Sequence, residues 1–164
     1  CPRGMRLFGG GLVEYLAQSC RQTTLYIPYE SKPFIDLKTG RFALSRVLVP
    51  VARHPSVRPA LELLQKLLAL DTSSQREVTG LHVGRRFPHV PASAIEGIGW
   101  HEVVESRSRE HPARVIVEAA DERSADLIVM STNGRDTLSQ KIVGSFTEQV
   151  LRRAPCPVLA VAVE

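Results

Sequence analysis

STNGRDTLSQKIVGS, residues Ser131 to Ser145, lies between the apolar run ADLIVM (Ala125–Met130) and the amphipathic segment FTEQVLRRAP (Phe146–Pro155). Strand, polar glycine-containing loop, helix is the order in which α/β proteins build a phosphate cradle. A helix N-terminus leaves backbone N–H groups free to meet an anion. Gly134 and Gly144 let the backbone come close to a ligand, and Ser145 with Glu148 three residues on makes a capping box. Ser131 stands where a phosphate loop favours its first glycine. The same residues also suit a plain strand–helix turn, with glycines for the bends and a serine for the cap.

Upstream the alternation repeats. RVLVPV (Arg46–Val51) is a continuous β-branched run, the pattern of a strand buried on both faces. In SVRPALELLQKLLAL, Ala60, Leu61, Leu64, Leu67 and Leu68 recur at helical spacing, which predicts a helix capped by Ser56 with Pro59 in its first turn. EVTGLHV (Glu77–Val83) and WHEVVESR (Trp100–Arg107) are the next strands, and the residues between them read as loop with at most one helical turn. HPARVIVEAADER is a helix opened by Pro112, DLIVM a fourth strand, and PVLAVAV (Pro157–Val163) a fifth. Strands joined by helices predict an open parallel five-stranded sheet with helices on both faces. In a 3-2-1-4-5 order the ligand site falls at the carboxyl ends of the first and fourth strands.

The first 45 residues do not belong to such a unit. GGLVEYLAQSCRQTTLYI (Gly10–Ile27) echoes GSFTEQVLRRAPCPVLAV (Gly144–Val161), with Gly10/Gly144, Glu14/Glu148 and Leu25/Leu159 identical. Residues 1–30 therefore read as the closing helix and strand of a preceding repeat, residues 31–45 as a hairpin linker turning at Lys38-Thr39-Gly40, and residues 46–164 as a complete domain. The remnant strand is expected to pair antiparallel with Val158–Val163, within the chain or from a second copy, beside a helix at Leu12–Ser19.

Composition narrows the function. The 164 residues are 43% hydrophobic and 23% charged, with net charge +4, as in an ordinary globular domain. Basic residues come in scattered pairs such as Arg85-Arg86 and Arg152-Arg153, without the aromatic-interleaved stripe of a nucleic-acid surface. No apolar run approaches the roughly 20 residues of a membrane span, and no signal peptide is read at the start. Cys1, Cys20 and Cys156 are far apart and odd in number, which points to a reducing cytoplasm. Cys rather than Met at position 1 suggests a processed, tagged or partial chain.

RVLVPV, GLHV (Gly80–Val83), HPARVIVEAA, ADLIVM, the Gly134…Gly144-Ser145 spacing and RRAPCPVLAV occur in this order across residues 46–164, and together they resemble the universal stress protein family. The resemblance implies a flavodoxin-like sheet, a homodimer or pseudo-dimer through the last strand, an unknown protein partner and, in some members, ATP binding through G-x2-G-x9-G-(S/T). Gly134, Gly144 and Ser145 match that motif, whereas Ser131 replaces its first glycine. Ala52 stands where the family has an acidic residue that helps to hold the nucleoside.

The candidate nucleotide-binding set is then Val51, Val83, Ser131, Asn133, Gly134, Gly144, Ser145 and Phe146, with ATP or another adenine nucleotide as ligand and no metal. Val51 and Val83 end the first two strands, where they serve either as walls of an adenine pocket or as ordinary core. Arg53, Arg85, Arg86, Arg107, Arg109 and Arg135 fall at or just past strand ends on the same edge. His54 and His82 lack the carboxylate that would make a metal pair persuasive. No nucleophile–base arrangement is discernible, so binding is favoured over catalysis beyond slow ATP hydrolysis.

Overall fold

The computed structural model describes residues 23–29, 31, 34–35, 38–40, 44–70, 76–106, 110–133 and 146–163. Their elements in chain order are β1 (Thr24–Tyr26), β2 (Arg46–Pro50), α1 (Arg58–Leu68), β3 (Glu77–Val83), α2 (Ala92–Ile95), β4 (Trp100–Glu105), α3 (Pro112–Glu122), β5 (Leu127–Asn133), α4 (Phe146–Arg153) and β6 (Val158–Val163). The helix expected at Leu12–Ser19, residues 36–37 and 41–43 of the linker hairpin and the loop 134–145 lie outside the described residues. Of the hairpin, the turn is described, with Gly40 at φ +67°, and Phe34 and Leu44 are buried in the core.

The strands make one six-stranded sheet in the order β1-β6-β5-β2-β3-β4. All neighbours are parallel except β1, which runs antiparallel to β6. The sheet is thus six-stranded and mixed rather than five-stranded and parallel, because β1 joins it; β2 to β6 by themselves are parallel and keep the order 3-2-1-4-5. The added strand is the segment read as a repeat remnant. VLAVAV of β6 presents no charge or proline to block its outer edge, so a further strand can add there. The strand that adds comes from the same chain.

Side chains alternate across the sheet and separate two cores. Val47 and Val49 of β2, and Val51 just after it, share one face with Leu127, Val129, Leu159 and Val161, under Ala60, Leu61, Leu64 and Leu68 of α1. Leu48, Ile128, Met130 and Val158 share the other, against Ile116, Ala119 and Ala120 of α3 and Val150 of α4. Because helices cover both faces, the central strands are apolar at successive positions.

The helix starts obey local rules with one shift. Pro112 opens α3 at its first position, where the missing N–H costs nothing. In α1 the N-cap is Val57 rather than Ser56, with helical backbone angles (φ −75°, ψ −15°). Ser56 Oγ still accepts the Arg58 N–H at 3.3 Å. Asp126 ties β2 to the start of β5. Its Oδ2 accepts the N–H groups of Ser45 (3.0 Å) and Arg46 (2.8 Å), and its own N–H donates to the Arg46 carbonyl at 2.8 Å. The connection from β3 to β4 holds only the short α2, and β4 ends at Glu105. Among the described residues no helix is long and apolar enough to cross a membrane.

Candidate functional site

The sheet opens where the strand order reverses. β2 and β5 pair only at Val47↔Leu127 and Leu48↔Ile128, whereas β5 stays paired with β6 as far as Asn133↔Val163. Beyond Leu48 the β2 chain follows β3 instead. The Val51 N–H donates to the Leu81 carbonyl at 2.8 Å, and the Val51 carbonyl accepts from His82 Nδ1 at 2.8 Å. Because a carbonyl only accepts, Nδ1 is the donor in that contact. A crevice thus begins at the carboxyl ends of β2 and β5, the place where open α/β sheets bind ligands.

A cavity of about 420 Å³ adjoins it, lined by Ala52, Arg53 and Ser56 after β2 and by Arg86, Phe87, Pro88 and His89 after β3. Its size is within the range of small-molecule sites. Among the described residues no carboxylate lines it. On the helices, Arg58, Arg114 and Arg152 are paired with Glu62, Glu118 and Glu148 one turn away. Arg53 and Arg86 have no such partner among the described residues, so their field acts on the cavity uncompensated. Phe87 is held by an aromatic row. His82 and Phe87 meet edge to face at 6.2 Å between ring centroids, and Phe87 and Trp100 at 6.3 Å. The Trp100 ring lies over Gly80, where a Cβ would collide with it.

The sequence-derived candidates divide across this geometry. Val51 is buried in the core beneath α1. Val83 packs against the core on the opposite face, so the two do not form a single pocket wall. Ser131 lies on β5, and the strand alternation puts it on the face of Val51 and Val129. Its Oγ is buried and has no hydrogen-bond partner among the described residues. Thr132 Oγ1, in contrast, donates to the Val161 carbonyl at 3.4 Å. Asn133 is the last residue of β5, and Phe146 begins α4 with an exposed side chain. Gly134, Gly144 and Ser145 lie outside the described residues, as do Arg107, Arg109 and Arg135. Of the arginine series, Arg53 and Arg86 meet at the cavity. Sequence reading placed the loop Ala52–Ser56 at the site but missed Phe87, Pro88 and His89. The only available sign was Phe-Pro-His directly after a strand end, a weak pattern in any loop.

An open, doubly wound α/β sheet with a crevice at its switch point defines a ligand-binding class of fold. The comparisons narrow the class. The model of the universal stress protein family matches residues 49–162, and the chain belongs to that family. A universal stress protein of Methanocaldococcus jannaschii is 50% identical over 50 residues, which is 30% of this chain and 29% of that protein. One from Thermus aquaticus is 39% identical over 70 residues, covering 43% and 50%. The matched stretches thus span half or less of these curated relatives. Among solved structures, a universal stress protein from Archaeoglobus fulgidus superposes with a TM-score of 0.56 at 28% identity, over 72% of this chain and 44% of that one.

Proposed function

We propose that the protein is a stress-response module that binds an adenine nucleotide, ATP or AMP, weakly at the crevice between β2 and β5, and acts by altering its contacts with a protein partner. The observation that carries this reading is the Ser131 hydroxyl. A buried hydroxyl without a partner costs free energy, on the order of 1–3 kcal/mol, unless something else satisfies it. A phosphate at the end of β5 would do so. In the resemblance to ATP-binding members, Gly134, Gly144 and Ser145 follow at the spacing of the phosphate loop and would complete the cradle. Arg53 and Arg86, which have no ion-pair partner among the described residues, add an anion-attracting field on the same edge.

The second reading is a nucleotide-free interaction module. Ala52 favours it, because a side chain without a carboxylate cannot accept hydrogen bonds from ribose or adenine. In either reading residues 1–30 are the remnant of a preceding repeat, and β1 replaces a partner's strand in a pseudo-dimer. Binding rather than catalysis is assigned, with slow ATP hydrolysis the most that is expected.

Native mass spectrometry of freshly purified protein, followed by calorimetric titration with ATP and AMP, tests the first reading. A co-purifying nucleotide or a saturable titration supports it. Protein that is free of nucleotide and silent to both titrants leaves the interaction module.

A further inference from the structure

The cavity departs from what a nucleoside alone requires. A ribose or an adenine amino group presents donors, which call for acceptors in the protein. Among the described residues the cavity instead carries the guanidinium groups of Arg53 and Arg86 with the His89 ring, and no carboxylate. Guanidinium is the group best matched to phosphate, which it can bind through two parallel N–H···O bonds. Its position adds a constraint. β5, β2 and β3 are consecutive in the sheet, and the cavity is formed by the segments that follow β2 and β3. Neighbouring strands are about 4.8 Å apart, so the cavity lies about 5 to 10 Å along the edge from the end of β5. A phosphate on the 2′ or 3′ oxygen of a ribose lies within that distance of the 5′-phosphate.

Resting on the reading that a nucleotide's 5′-phosphate sits at the end of β5, we propose that the Arg53/Arg86 cavity receives a second phosphate, carried on the 2′ or 3′ oxygen of the ribose. The ligand class is therefore a ribose-bisphosphate nucleotide. Phe87, held by His82 and Trp100, forms an apolar wall of the same cavity. Ala52 has a direct part in the selection. A carboxylate at that position would neutralise the neighbouring guanidinium groups and repel the phosphate, and alanine leaves their charge available.

The test is calorimetric titration of the full chain with AMP, adenosine 2′,5′-bisphosphate, adenosine 3′,5′-bisphosphate and inorganic phosphate, for the parent, Arg86→Gln and Ala52→Asp. At least one bisphosphate is expected to bind the parent tenfold or more tightly than AMP. Arg86→Gln should remove that preference by weakening the bisphosphate far more than AMP, and Ala52→Asp should reverse it. Raising the salt concentration should weaken the bisphosphate more than AMP. Equal affinities for AMP and both bisphosphates in the parent overturn the proposal and leave nucleotide binding standing. A preference that survives Arg86→Gln unchanged also overturns it. Inorganic phosphate that binds as tightly as the bisphosphates, with AMP silent, would overturn the nucleotide reading and this proposal together.

Discussion

Leu25 of β1 lies directly opposite Leu159 of β6, the residue found 134 positions later in the chain. The same spacing aligns Gly10 with Gly144 and Glu14 with Glu148. Leu25 is thus paired with its own repeat counterpart. Its neighbours follow the same symmetry. Thr24 pairs with Ala160 and Tyr26 with Val158, while the 134-residue spacing matches Thr24 to Val158 and Tyr26 to Ala160. A two-fold axis through the Leu25–Leu159 pair exchanges these two pairings, as it would between identical strands of a homodimer.

Removal of residues 1–30 should therefore uncover the β6 edge together with apolar surface. The expected outcome is a dimer or larger species in light scattering, formed by strand addition at the free edge. A truncated chain that stays monomeric with unchanged unfolding free energy would refute the role given to β1.

Gly80 has no room for a side chain, because a Cβ would meet the Trp100 ring and approach Phe87 Cζ at 3.0 Å. Gly80→Ala should destabilise the fold by about 1–3 kcal/mol, the usual range for overpacking. The chain has one tryptophan, so its emission reports on this site alone. A shifted emission spectrum with a lower denaturation midpoint is expected.

Ser131→Ala separates a binding role from a structural one. Loss of an unsatisfied buried hydroxyl should leave stability unchanged or slightly raised. Loss of a ligand contact should weaken nucleotide binding by about 0.5–1.5 kcal/mol. Reduced stability with unchanged affinity would show that the hydroxyl belongs to the fold.

Cys156 is buried at the turn into β6, and its thiol is pushed up from an ordinary value near 9 to about 12 by burial and, secondarily, by the negative charge of Asp126. The native state therefore keeps the proton that the unfolded chain releases. The resulting stabilisation is fully present below about pH 9 and is lost as the pH rises towards about 12. Unfolding free energy should fall across that interval, and Cys156→Ala should flatten the fall. At pH 8, peptide mass spectrometry should find Cys156 unalkylated in the native protein and alkylated in denaturant.

Sequence alone determined the elements of this protein and their pairing logic. RVLVPV, DLIVM and VLAVAV read as buried strands because helices cover both sheet faces, and the stripe from Ala60 to Leu68 read as a helix because its period is the helical one. Both patterns are local and survive without knowledge of distant contacts. The echo of residues 144–161 in residues 10–27 likewise foretold the antiparallel partner of β6, because related segments with free edges pair by the same geometry. What only the tertiary structure decided was which side chains share a space. Val51 and Val83 both end strands, yet the pleat puts them on opposite faces. Arg53 and His89 are 36 residues apart in sequence and line one cavity, because β2 and β3 are parallel and end at the same edge. The bare hydroxyl of Ser131 was equally out of reach of the sequence, since whether a polar atom is satisfied depends on every group that packs around it.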